Sequence, residues 1–177
     1  MTDSSFTDFD ATLRDGRAVH IRAAHPTDEA EILQTFDRMS ADARYMRFMR
    51  HVRQPNLERL RKALASFPEN GVGIVATAPA ADGIDIVGSA LFVIDKDPTN
   101  CEFAITVDSG FSGSGLARTL MTAIIDAAKK RGLRQMEGFV LAVNQPMLRL
   151  ARRLGFSMTR DPEDGTVWIC RLPLDGC

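Results

Sequence analysis

The chain has 177 residues, 45% of them hydrophobic and 25% charged, with a formal net charge of −1. That length fits one domain with a core large enough to need neither disulfides nor a structural metal, and the balanced charge excludes the basic excess of a nucleic-acid binder. No apolar run approaches the ~18 residues of a membrane span, and the polar, acidic start is not a signal peptide. Cys101, Cys170 and Cys177 show no metal-ligand spacing, alone or with His20, His25 and His51. The expectation is a cytoplasmic protein with no metal, nucleic-acid or membrane partner.

Residues 1–15 read as a polar N-terminal tail, and 16–177 as a single domain. From Arg17 to Ala24, Val19 and Ile21 alternate with polar neighbours, as in a half-buried strand. Pro26, Thr27 and Asp28 mark a helix start, with Glu31 three residues beyond Asp28, and that helix is expected to run to about Arg38. Ser40 begins a second helical stretch holding Tyr45, Phe48 and Val52 near one face, which Pro55 interrupts. Leu57–Ala65 is a third helix. Val72–Ala78, Ile84–Ile94 and Cys101–Val107 are strands separated by turn sequences. In the last of these, Cys101, Phe103, Ile105 and Val107 share one face, while Glu102, Ala104 and Thr106 form a small, polar face that leaves space.

Gly113–Arg131 is an amphipathic helix closed by Gly132. Arg134–Val143 is a strand and Asn144–Leu154 a helix. Strands are expected to begin at Gly155–Met158 and to end the chain at Thr166–Leu172. This order packs naturally as an α/β fold, a mixed sheet with helices on both faces.

Chemistry concentrates where the strand ending at Val107 runs through Ser109-Gly-Phe-Ser-Gly-Ser-Gly-Leu-Ala directly into a helix. Such a turn aims several backbone N–H groups at one point, where the helix dipole adds partial positive charge. Its small residues allow a phosphate to approach. A diphosphate fits best, although the turn alone also admits a tight connection with no ligand. A nucleotide P-loop would require Lys after Gly115, where Leu116 stands, and a dinucleotide fingerprint a small residue in place of Arg118.

About 30 residues on, Asn144-Gln-Pro-Met-Leu-Arg-Leu-Ala-Arg-Arg-Leu-Gly-Phe closes a second strand–helix unit. Together the two units resemble the GNAT acetyltransferase superfamily. The pyrophosphate motif Gln/Arg-x-x-Gly-x-Gly/Ala is matched by Ser112 to Ala117, and the last helix begins with Asn and ends in Leu-Gly-Phe. The resemblance covers roughly residues 17–172. It implies a mostly antiparallel sheet, acetyl-CoA as co-substrate, and direct acetyl transfer to an amine. The cofactor contacts it implies fall on Ile105, Val107, Ser112, Gly113, Ser114, Gly115, Leu116, Ala117, Arg118 and Asn144. Asn144 is equally a helix N-cap. Two positions depart from the family pattern. Ser112 replaces Gln or Arg, and Ala151 stands where many members carry a Tyr that protonates the departing thiolate.

An attacking lysine amine must lose a proton, because its ordinary pKa is about 10.4. Glu102, on the small polar face leading to the turn, is the candidate general base; a solvent-exposed strand residue is the plainer reading. Ser40-Ala-Asp-Ala-Arg-Tyr-Met-Arg-Phe, Glu102-Phe-Ala-Ile and the Asn144–Phe156 segment resemble the bacterial Pat-type protein lysine acetyltransferases, with Asp42 and Ala43 departing from the pattern. That branch implies Glu102 as base, protein lysines as acceptors, and Tyr45 and Arg47 beside the acceptor. Arg149, Arg152 and Arg153 make a basic helix face, either solvated or facing the 3′-phosphate of CoA. A small-molecule amine acceptor and a non-catalytic CoA-binding sensor are the alternatives, and the assembly is left open, with a homodimer among the options.

Overall fold

The structure, a computed structural model, describes residues 6–32, 57–67, 69–80 and 83–175. Strands occupy Phe9–Thr12 (β1), Ala18–Ala23 (β2), Gly71–Ala80 (β3), Gly83–Ile94 (β4), Asn100–Val107 (β5), Gln135–Leu141 (β6), Ser157–Arg160 (β7) and Val167–Pro173 (β8). Helices occupy Leu57–Ser66 (α1), Leu116–Lys130 (α2) and Gln145–Arg153 (α3). The strands form one sheet in the order β1-β2-β3-β4-β5-β6-β8-β7. Among the described residues every neighbouring pair is antiparallel except β5 and β6, which α2 connects as a crossover.

Strand alternation sorts the side chains into two faces. Gly88, Ala90 and Phe92 of β4 oppose Val107, Ile105 and Phe103 of β5, and this face receives α2, which packs against β3, β4 and β5. The helix approaches closely because Gly88 has no side chain: a Cβ there would stand 3.1 Å from both Leu116 and Leu120. Leu116, Leu120, Met121, Ile124 and Ala128 are 0% exposed on the inner side of α2. Fully burying each larger apolar side chain contributes about 1.5–3 kcal/mol. Phe67, one residue past α1, lies on the opposite face, where its ring fills the space that a side chain on Gly73 would need. No helix among the described residues is long and apolar enough to cross a membrane.

Two features differ from the sequence expectation. Part of the expected tail is structured, since Phe9–Thr12 pairs with Ala18–Ile21 as β1. Phe-Asp-Ala-Thr alternates apolar and polar residues over only 4 positions beside an acidic start, and its side chains are mostly exposed; pairing with β2 supplies the ladder that makes it a strand. The hairpin turns on Gly16, in a left-handed conformation at φ 90°, while the Asp15 carboxylate accepts from the Arg17 backbone N–H and guanidinium. The second difference is at α2, which begins at Leu116 rather than Gly113 because Gly113 and Gly115 take φ of 73° and 91°, outside any right-handed helix. Residues 26–28 form a 3₁₀ turn and 29–32 are helical. The remainder of the helices expected up to Val52, including Tyr45 and Arg47, lies outside the described residues.

The β1–β2 hairpin carries a cross-strand pair, His20 Nδ1 to the Asp10 carboxylate at 2.8 Å, with Asp8 nearby. The Asp10 hydrogen bond, reinforced by Asp8, raises the His20 pKa above its ordinary value. A raised folded-state pKa makes the pair's contribution complete below about pH 6.5, the ordinary histidine value, and lost as pH rises through the higher folded value. Titration of His20 by NMR is therefore expected to give a pKa above 6.5. Asp10→Asn should bring it back toward that value, and an unshifted wild-type histidine would contradict the pairing.

Candidate functional site: a splayed strand pair beneath a glycine turn

β5 and β6 are in register at three positions only, Asn100 with Gln135, Cys101 with Met136, and Glu102 with Glu137. Beyond them the strands part. The residue pair at the fork explains why: a Cβ on Gly138 would overlap the ring of Phe103. Phe103 is held in place by an edge-on contact with Phe156, with ring centroids 5.4 Å apart. The ring thus occupies the room that a side chain on β6 would take, and the strands diverge on the far side of it. From there β5 is bonded, among the described residues, only to β4, so its other edge faces the gap with alternate backbone N–H and C=O groups. The gap belongs to a cavity of about 860 Å³ walled by Phe103–Val107 on one side and Phe139 and Val140 on the other, with the glycine turn and α3 at its far end. Ile105 and Val107, expected at the cofactor, line it.

The turn is shaped from inside by Ser114. Its side chain is buried, donating from Oγ to the Phe111 carbonyl at 2.6 Å and accepting from the Leu116 N–H at 3.3 Å. Ser114 and Leu116 were expected in the ligand cradle. Ser114 does not line the cavity, and although Leu116 does, its N–H is already engaged. Both hold the turn's shape. The Ser112 and Ser114 N–H groups are bonded back to Ser109 and Phe111. Among the described residues, no acceptor is bonded to the N–H groups of Gly113, Gly115, Ala117 or Arg118, the last two being orphan donors of the first helical turn. All four residues line the cavity, as does Ser112. Four open amides at the positive end of a 15-residue helix form an anion cradle.

Opposite the turn, Asn144 lines the cavity and caps α3, accepting from the Met147 N–H at 3.3 Å. Four arginines also line it: Arg14, Arg118, Arg149 and Arg153. Arg152 does not, so only part of the basic α3 face turns inward. Other arginines are paired with acids, Arg17 with Asp15, Arg22 with Asp28, Arg61 with Glu29, Arg134 with Asp175 and Arg171 with Glu137. The four lining the cavity have no ion-pair partner among the described residues. Arg14 was missed in the sequence because the short alternation of Phe9–Thr12 before it lies within a stretch that read as a polar tail.

The other end of the cavity carries one acid, Glu102, among the described residues. Glu102 lines it at the last paired position before the fork, exposed on the face away from α2. Glu137 stands beside it in register, held by Arg171 at 2.8 Å. Asp95, just past β4, has its carboxyl pushed up by burial and then by the negative charges of Glu137 and Asp97. Sequence reading found Glu102 but not Glu137, although strand alternation in β6 was a usable signal. Cys101 faces the core, where burial pushes its thiol up to about 12, and burial pushes Cys170 to about 11, so neither is a thiolate near neutral pH.

Residues 19–157 match the family model described as an acetyltransferase (GNAT) domain. The chain belongs to the GNAT acetyltransferase family. It is an acetyl-CoA-dependent N-acetyltransferase of that family. A Pseudomonas aeruginosa acetyltransferase, PA5475, is 31% identical over 163 residues, covering 92% of this chain and 88% of the relative. The fold is also that of the GNAT domain of S. lividans PAT, with a TM-score of 0.84 at 21% identity over 94% of this chain and 96% of the other. The yncA structure from Salmonella typhimurium, solved with its cofactor acetyl-CoA, gives a TM-score of 0.73 at 23% identity, covering 89% and 94%. A mixed, mostly antiparallel sheet with helices on both faces is thus the GNAT arrangement the sequence led us to expect.

Because the fork depends on Gly138, Gly138→Ala is expected to overpack it and lower stability by about 1–3 kcal/mol in urea denaturation. Gly165→Ala, at a position where a Cβ meets nothing within 4 Å, should change it by less than about 0.5 kcal/mol. Equal effects would contradict a wedge at the fork.

Proposed function

We propose that this acetyltransferase moves an acetyl group from acetyl-CoA to lysine side-chain amines of proteins, with Glu102 as the general base. The observation that carries the reading is Glu102's position at the last paired residue before the fork, at the acidic end of a cavity whose other end is cationic. A co-substrate whose phosphates rest on the open amides of Gly113, Gly115, Ala117 and Arg118 would run its arm along β5, past Ile105 and Val107, toward that carboxylate. The unpaired edge of β5 offers N–H groups of the kind that polarise a thioester oxygen. When bound, acetyl-CoA supplies the activated acetyl group. The chain's own part is to orient it, exclude water and accept the amine's proton at a Glu102 carboxylate oxygen.

The Glu102 carboxylate, exposed at the cavity, gives the acceptor end a negative charge, which suits a cationic amine before it loses its proton. Ala151, where a tyrosine acid would stand, is buried and has no proton to give. A thiol of ordinary pKa near 8.5 leaves as a thiolate without such help near neutral pH and takes its proton from water. The protein-lysine acceptor is supported by the resemblance of residues 40–48, 102–105 and 144–156 to the Pat-type branch, and by the fold shared with the PAT domain.

Glu102→Gln keeps shape and removes the base. Steady-state assays with a protein substrate are expected to show kcat reduced by about 10²–10⁴-fold with the KM for acetyl-CoA within about twofold. Unchanged kcat would remove Glu102 from the role. Wild-type turnover on a panel of small amines but on no protein would overturn the acceptor, and acetyl-CoA binding with no turnover on either would leave a sensor.

A further inference from the structure

We propose that Arg14, from the β1–β2 hairpin, is a diphosphate-binding residue of the acetyl-CoA site, supplying from outside the turn the charged side chain that the turn itself lacks at Ser112. This rests on the reading of the cavity as the co-substrate site.

Three contacts lay the hairpin against the turn. The Arg14 backbone N–H donates to the Ser114 carbonyl at 2.9 Å. Leu13 beside it is buried in the core at 5% exposure. Arg17, fixed by Asp15, places its guanidinium 3.8 Å from the centroid of the Phe111 ring, at the turn's entrance. With the backbone bonded to the turn, the Arg14 side chain lies over Gly115. A Cβ built on Gly115 would stand 3.7 Å from Nη2 and 3.8 Å from Nε of that guanidinium. Gly115 is also the residue whose own N–H is open and whose φ of 91° turns the chain into α2.

Charge decides what such a side chain is for. Within one hairpin, Arg17 is neutralised by Asp15 at 2.6 Å, while three residues earlier Arg14 has no acid in ion-pair contact among the described residues and lines the cavity. A diphosphate brings two negative charges to the turn, whereas the helix end offers about half a positive charge. A guanidinium fork beside the open amides supplies most of the remainder and can bond two phosphate oxygens at once. Arg149 and Arg153 approach from α3, across the cavity. Arg14 alone of the four arginines is bonded through its backbone to the turn.

The test is calorimetric titration of wild type, Arg14→Ala and Arg14→Lys with acetyl-CoA and with acetyl-dephospho-CoA, which lacks the 3′-phosphate but keeps the diphosphate. Turnover of S-acetylpantetheine, which lacks every phosphate, is measured in parallel. Arg14→Ala is expected to raise Kd about tenfold or more for both nucleotides, in line with loss of a charge-assisted hydrogen bond. Arg14→Lys should recover part of that, and S-acetylpantetheine turnover should stay within twofold of wild type. A Kd within twofold of wild type overturns the proposal. So does an effect that vanishes with acetyl-dephospho-CoA, or one equally large with S-acetylpantetheine. Should Arg14→Ala melt lower than wild type without ligand, Arg14→Gln decides, because it keeps the stem and drops the charge: weakened binding at wild-type melting temperature supports the assignment, and full affinity overturns it. If wild type itself binds no acetyl-CoA, the site reading and this inference fall together. If wild type binds and Arg14→Ala binds equally, only the inference falls.

Discussion

Everything in the site follows from two parallel strands that stay bonded for three residues and then part. An unpaired strand edge inside a sheet costs free energy, since its backbone donors and acceptors face away from a partner. Here the separation is built in sterically, by Phe103 over Gly138 with Phe156 behind the ring. The fork creates the cavity, exposes one edge of β5 to whatever enters it, and leaves Glu102 at the point where pairing ends. α2 must then connect the diverging strands as a crossover, which brings its N-terminus to the open end. One steric decision thus fixes where an extended ligand can lie and which two ends of it the protein can address.

Those ends carry opposite charge. At the turn and α3, four open amides and four arginines with no ion-pair partner among the described residues line the cavity, and at the fork Glu102 lines it. Five other arginines are paired with acids, whereas the four lining the cavity have no such partner among the described residues. A molecule with phosphates at one end and a reacting group at the other matches this polarity, and the GNAT family membership names that molecule as acetyl-CoA. The turn's rigidity comes from within, through Ser114 bonded to Phe111 and Leu116, so its open amides are positioned before any ligand arrives.

Much of this was legible in the residues themselves. The strand into Ser112, the glycines and the helix beyond announced an anion site, and alternation in β5 separated Glu102 from Cys101 as the structure does. What stayed hidden had physical reasons. β1 alternates over only 4 residues within a polar, acidic stretch and is held by pairing with β2, so Leu13 and Arg14 read as tail. Gly113 and Gly115 fitted a helical pattern because periodicity does not register φ, and only their left-handed conformations move the start of α2 to Leu116. Ser114 looked like a ligand contact since a small polar residue serves equally as cradle and as internal brace. The fork is a relation between Phe103, Gly138 and Phe156, three residues far apart in the chain, and no local pattern carries it.

A crystal structure with acetyl-CoA bound tests this arrangement most directly. The expected result has the diphosphate on the N–H groups of Gly113, Gly115, Ala117 and Arg118, with the arm between β5 and β6 and the thioester at the Glu102 end of the fork. Density for the ligand outside the fork, or with its thioester at the arginine end, would contradict it.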